Sequence, residues 1–295
     1  MIVTGILWLA FAFGLAQTSE PTRTAGNREA VALVSAVSGT ASVDGATRRD
    51  LKLFDWVRSG ATVRVPRESQ LTLVLSNGHR FELTGPARAT VSATALSATT
   101  GSIRALSALP RLPRIAPISN PKDRGNHAAA VRVRGPRITN LYPSNGAVTP
   151  VASAVFTFDA VDGATQYSVE VEDARAIRVF QVQTTETRVA VPITLQPGAT
   201  YYWRVRTVGR IGAQARGGAE FRTLAAADDQ ARQRLKDVLG KDADPHGLAL
   251  LAHIDYELGL FREAREGVRA ALETKPVDTA LRAALLRLAR RLEIP

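Results

Sequence analysis

The hydrophobic period of this chain changes from two to 3.6 residues near position 225, and that change restricts the fold more than any other feature. Upstream, short runs alternate apolar and polar side chains as half-buried strands do, with turn signals about every eight to twelve residues. The run "TQYSVEVED" sets Tyr167, Val169 and Val171 inward and Ser168, Glu170 and Glu172 outward. Downstream, "DPHGLALLAHIDYELGLFREAREGVRAALETKP" repeats its apolar residues at helical spacing. The pattern predicts a multidomain protein, mainly β with an α C-terminus, and 295 residues suffice for two or three cores.

A hydrophobic content of 45% with 22% charged residues is ordinary for globular protein. The absence of cysteine excludes disulfide frameworks, thiolate zinc sites, cysteine nucleophiles and acylated lipoprotein anchoring. The opening "MIVTGILWLAFAFGLAQTSE" carries an apolar run from Ile2 to Leu15 that ends at Gly14-Leu15-Ala16, small residues at the spacing a signal peptidase needs. Residues 1–16 are therefore expected to be a cleaved export signal, and the protein to be periplasmic or secreted. The alternative is tethering to the membrane by an uncleaved signal.

The formal charge of +11 is unevenly placed. Between residues 107 and 140 lie seven Lys or Arg against one acid, whereas residues 225–295 balance twelve acids with twelve bases. The basic segment also holds five prolines and no periodic apolar face, so residues 107–137 read as an extended Pro/Arg-rich linker.

Residues 28–106 form the first β unit, with runs such as "AVALVSAV", "KLFDWVRSG" and "QLTLVLSNGHRFELTGPARATVSA". A two-residue loop at Asn77-Gly78 would set Leu73 against Glu82. A three-residue loop, with Gly78 left-handed as a bulge, sets Leu73 against Phe81 and Leu71 against Leu83. The hydrophobic pattern selects the second. Gly39, Leu51 to Asp55, Gly60, Val63 and "SQLTLVLSNGHRFEL" together resemble the FecR domain. That resemblance covers about a quarter of the chain and implies an extracytoplasmic sensor module working with a separate membrane regulator.

Residues 138–224 form a second β unit of about seven short strands, the count expected of a sandwich. "AVDGATQYSVEV" and "LQPGATYYWRVRTV" resemble a fibronectin type III-like module. The resemblance implies that Tyr201 is a tyrosine corner, its hydroxyl bonded to backbone and its ring in the core. Alternation along the same strand puts Trp203 inside and leaves Tyr202, Arg204 and Arg206 outside.

In residues 225–295, Leu248, Leu251, Ala252, Tyr256, Gly259, Phe261, Ala264, Val268, Ala271, Leu272 and Pro276 stand at the spacing of one tetratricopeptide repeat, which this segment resembles. "DDQARQRLKDVLG" and "VDTALRAALLRLARRLEI" supply a helix before and after it. Four helices make a small bundle, expected to lean on the sandwich or on a partner. A stripe of Arg282, Arg287, Arg290 and Arg291 reads as a solvated, salt-bridged face.

Chemical motifs are sparse. His246 and His253 lie seven apart, wider than the i, i+4 pair a helical metal site favours. Neither a nucleophile motif nor a glycine-rich phosphate loop is present. The sequence thus predicts a non-enzymatic exported protein with no cofactor and no metal, binding envelope proteins or cell-wall polymer rather than a specific nucleic acid. The candidate binding surfaces are Tyr202, Arg204 and Arg206 on the sandwich and Leu248, His253 and Tyr256 in the helical groove. The alternative is a FecR-like sensor of the envelope.

Overall fold

The computed structural model describes residues 29–45, 48–114, 136–152, 154–209, 214–240 and 244–293. The expected export signal and most of the linker lie outside the described residues.

The first β unit contains β1 (Ala30–Ser38), β2 (Ser42–Asp44), β3 (Arg49–Asp50), β4 (Trp56–Arg58), β5 (Thr62–Val65), β6 (Gln70–Leu75), β7 (Arg80–Val91) and β8 (Leu96–Leu106). Its strand order is β3-β2-β5-β7-β6-β1-β4, with β8 on the other side of β7. The β6–β7 hairpin pairs Leu71 with Leu83 and Leu73 with Phe81, the register that the apolar pattern demands. Gly78 adopts φ +92° and its N–H bonds the Leu75 carbonyl at 2.8 Å. The strand expected across "KLFDWVRSG" is shorter: Leu53 and Phe54 form a turn, Phe54 has φ +69°, and pairing begins at Trp56.

β7 and β8 both bend at one corner. The ladder shifts between Thr84↔Ser102 and Arg88↔Thr100, and the backbones there are too close for side chains. A Cβ on Gly85 would collide with the Pro66 carbonyl, and one on Gly101 with Pro86 and Ala87.

The sandwich contains β9 (Ala147–Thr149), β10 (Val155–Thr157), β11 (Gln166–Asp173), β12 (Arg178–Thr184), β13 (Arg188–Ala190), β14 (Thr200–Val208) and β15 (Arg216–Thr223). A two-stranded sheet, β10-β13, faces a five-stranded one ordered β12-β11-β14-β15-β9. β9, a parallel partner of β15, is too short to leave a periodic signal. Phe156, Tyr201, Trp203 and Phe221 meet in the core, with the Phe156 and Trp203 rings 4.8 Å apart. The Gln196 N–H donates to the Tyr201 hydroxyl at 2.8 Å, and the Trp203 Nε1–H donates to the Pro143 carbonyl at 2.8 Å. Ser168 departs from its expected outward, solvated position and is buried. It is short, and Gln183 and Arg206 flank it on the neighbouring strands.

Four helices follow: α1 (Ala226–Leu239), α2 (Pro245–Leu258), α3 (Phe261–Glu273) and α4 (Thr279–Arg291). Asp244 caps α2 by accepting from the Gly247 N–H at 3.0 Å, with Pro245 in the first turn where its missing N–H costs nothing. Gly259 ends α2 at φ +82° and turns the chain directly into α3. Asp278 caps α4 through the Ala280 and Leu281 N–H groups.

The bundle does lean on the sandwich, where Leu260 packs with Val148 and Leu224. Its larger contact is with the first β unit. Leu33, Leu53, Phe54, Val74 and Leu112 share one continuous core with residues of all four helices. Residues 107–114, at the start of the linker by composition, run along that unit: the Leu109 N–H bonds the Gly78 carbonyl and the Leu112 N–H bonds that of Ser76.

Tyr201→Phe should cost about 0.5–1.5 kcal/mol, because the part-buried bond from the exposed Gln196 N–H to the Tyr201 hydroxyl is lost. Urea unfolding of the two proteins checks it.

Candidate functional site

The outer face of β14 is built by cross-strand register. Tyr202 stands opposite Glu172 on β11 and Glu220 on β15, and Arg204 opposite Glu170 and Gly218. Arg204 pairs diagonally with Glu172, while Arg206 pairs with Glu170 at 3.0 Å. Tyr202 is 42% exposed at the head of this row. The negative charge of Glu220, with a little desolvation and a hydrogen bond to the same carboxylate, raises the Tyr202 hydroxyl above its usual pKa. The three residues foreseen outside are therefore together, but each arginine already faces an acid. The face is a mixed-charge surface with an aromatic at one end. It is not a basic track on which bases would stack. Beside it runs β12, the open edge of the five-stranded sheet, whose outer backbone groups have no strand partner among the described residues.

The helical groove is a different case. His253 is 6% exposed, and its ring stacks on Phe54 with centroids 5.1 Å apart and planes 13° from parallel. Arg287 on α4 donates to the Leu53 carbonyl at 3.1 Å. Leu248 is half-buried against the shared core, and Tyr256 packs on Phe261 at 5.8 Å with the Arg291 guanidinium 5.9 Å from its ring centroid. His253 is thus covered by the protein's own first β unit, while Leu248 and Tyr256 are only partly open. Burial, aided by the charges of Arg291 and Arg287, lowers the His253 pKa to about 3.

The α4 stripe also differs from the salt-bridged face foreseen for it. Among the described residues, Arg282, Arg287, Arg290 and Arg291 make no ion pair; Arg287 reaches the Leu53 carbonyl and Arg291 lies over the Tyr256 ring. The buried pair sequence reasoning missed joins α1 to α2: Arg232 donates to both Asp255 oxygens, at 2.5 and 2.9 Å. Desolvation opposes the charge on Arg232, but the hydrogen bond and charge of Asp255 raise its pKa above the ordinary value. At the sandwich joint, Arg262 lies 5.7 Å from the Tyr142 ring centroid, and burial followed by the charge of Glu263 raises the Tyr142 hydroxyl. His246, the other helical histidine, is exposed; its Nε2 bonds Asp278 at 3.0 Å and its Nδ1 lies 4.0 Å from Asp244. Among the described residues no group of three or more His, Asp or Glu is placed to hold a metal ion, and no helix is long and apolar enough to cross a membrane.

No protein-family model matches the chain, and no curated protein matches it. Solved fibronectin type III domains are similar in structure. The crystal structure of FN3tt matches at 17% identity and a TM-score of 0.25, over 31% of this chain and 98% of that one. The fn3 domain of human collagen alpha-1(XX) chain matches at 24% identity and 0.26, over 34% and 94%. A two-domain fibronectin type III segment from chicken tenascin matches at 10% identity and 0.23, over 67% and 95%. The two-sheet sandwich and its Tyr201 corner stand on the geometry above.

Phe54→Ala should destabilise the chain by about 3–5 kcal/mol, the usual cost of a deleted core phenylalanine, and expose the helices to limited proteolysis before the sandwich. Stability should also fall with acidification. His253 takes up its proton near pH 6.5 when unfolded but only near 3 when folded, so the unfolded state binds more protons throughout that window. The stability present above about pH 6.5 is lost progressively toward pH 3. Urea midpoints across that range should flatten in a His253→Phe variant.

Proposed function

We propose that the protein is a non-enzymatic, exported binding module that recognises envelope proteins or cell-wall polymer, chiefly through the sandwich. The observation that carries this reading is the juxtaposition of an exposed mixed-charge face, Tyr202 with the Arg204–Glu172 and Arg206–Glu170 pairs, and the open edge of β12. An open edge offers main-chain hydrogen bonds to an added strand, and the flanking face supplies specificity. The non-enzymatic part is supported by where the perturbed groups lie. His253 and Tyr142 lie where modules meet, and Asp255 and Glu263 where helices of the bundle meet. Export rests on the apolar leader ending at Gly14-Leu15-Ala16.

A second reading, a FecR-like sensor that passes an envelope condition to a membrane regulator, is favoured by the Phe54–His253 joint. Through it a change in the first β unit reaches the tetratricopeptide-like helices directly. Deletion of the gene followed by transcript profiling tests this second reading: an unchanged envelope response sinks it.

For the leading reading, capture from envelope extract and sedimentation with purified wall polymer should yield a saturable partner. The Tyr202→Ala, Arg204→Ala pair should weaken binding at least tenfold while leaving the urea midpoint nearly unchanged, since exposed ion pairs contribute only about 0–1 kcal/mol. Equal binding by the double variant rules out this face.

A further inference from the structure

β12 is an edge of the five-stranded sheet, and among the described residues it pairs only with β11. The Asp173 N–H bonds the Ile177 carbonyl at 2.9 Å, so Val171, Val169 and Tyr167, on the same phase of β11, also turn their backbone groups toward β12. Their partners Phe180, Val182 and Thr184 bond back, and the N–H and C=O groups of Gln181 and Gln183 point out of the sheet edge. Native edges are usually blunted by charges, proline or a bulge. Residues 179–185 read VFQVQTT, without Lys, Arg, Asp, Glu, Pro or Gly. The one shift in the ladder lies at the start of the strand, between Val171↔Phe180 and Glu172↔Arg178.

This edge is complementary to itself. Arg178 stands at its start and Glu186 just past its end, both exposed, and neither forms an ion pair among the described residues. Two such strands laid antiparallel, with Val182 on the two-fold axis, bring Arg178 of each copy opposite Glu186 of the other. A parallel arrangement would set like charges together. The same register makes Gln181 and Gln183 the hydrogen-bonded pairs, so their outward N–H groups find carbonyls. It also sets Val182 on Val182 and Phe180 on Thr184, covering the half-buried Val179, Phe180 and Val182 at the margin of the sandwich core. The opposite edge of the sheet, β9, has only three residues against the seven of β12. Head-to-tail growth is thereby disfavoured, and pairing of β12 with β12 closes on itself.

We propose that β12 pairs antiparallel with β12 of a second copy of this chain, forming a two-fold dimer with one continuous sheet. The inference rests on the reading of β12 as a strand-accepting edge, and it names the strand accepted. The axis runs perpendicular to the sheet, so the outer faces of both copies lie on the same side. Five strand spacings of about 4.8 Å separate the two copies of β14, which puts the two Tyr202 rows roughly 24 Å apart before twist. A wall polymer or a repeated protein surface then meets both rows at once, and a weak single contact is strengthened through effective concentration.

The test uses the full exported chain in sedimentation velocity and amide hydrogen exchange over a wide range of protein concentration. A monomer–dimer equilibrium is expected, with protection of the Gln181 and Gln183 amides rising with concentration. Gln181→Pro, which removes an N–H that the sheet itself does not use, should abolish the dimer. Glu186→Arg should weaken it about tenfold, since two ion pairs become two repulsions, and adding Arg178→Glu should restore it. That reversal decides the matter even if circular dichroism shows the proline variant unfolded. The Tyr202→Ala, Arg204→Ala pair should dimerise as the parent chain does. Loss of ligand capture by an intact dimer therefore counts against the face alone, and capture by a protein that stays monomeric counts against the dimer alone. A protein monomeric throughout, protection of these amides only when another chain is added, or unchanged dimer affinity in the folded variants overturns the proposal.

Discussion

The contact on which the arrangement depends is the apolar seam between the outer side of β1 and β6 and the helices. Helices of 13 or 14 residues are marginal by themselves in water, and their stability has to come from tertiary packing. Four such helices enclose a limited core, which here is completed by Leu33, Val74, Leu53, Phe54 and Leu112 of the first β unit. Phe54 supplies the centre of that seam. It reaches the helices because the turn at Leu53-Phe54 lifts its ring out of the strand line, held there by the Phe54 N–H bonded to the Val34 carbonyl.

Once the seam is fixed, the placement of the polar groups follows. Arg232 and Asp255 lie inside the bundle, where a bidentate pair offsets the desolvation of two charges that would be costly singly. Their geometry fixes the mutual register of α1 and α2 more narrowly than apolar packing would. Gly267 does the same for α2 and α3, since a Cβ there would press on Ala252 at 2.9 Å. The sandwich is attached by a smaller apolar contact through Leu260 and by the Arg262–Tyr142 stack.

Most of the architecture was legible in residue period. The hairpin register at Gly78, the inward Tyr201 and Trp203 and the four helices all follow from alternation, turn chemistry and caps. The seam was not recognised from them, although its signal was present. "VALV" at 31–34 and "LVL" at 73–75 are continuous apolar runs, as in strands buried on both faces, and both runs are fully buried. A strand with one wet face would have alternated. The fate of His253 was illegible for a related reason: helical spacing shows which residues share a face, but not which surface of the same chain will cover it. Cross-strand pairing similarly decided the outer face of β14, because the acids that meet Arg204 and Arg206 are more than thirty residues away in sequence.

That last distinction decides where recognition can occur. A helical groove serves a partner only if the chain leaves it open, and here the most buried of its three candidate positions, His253, is already stacked on Phe54. Opening the groove would expose the shared core, at a cost comparable to the total stability of a small domain. The sandwich faces no such penalty. Its outer row is solvated and already charge-paired, so an incoming chain can exchange ion pairs at small cost while adding main-chain bonds along β12. The first β unit and the helices brace each other through buried surface, whereas the outer row of the sandwich is solvated.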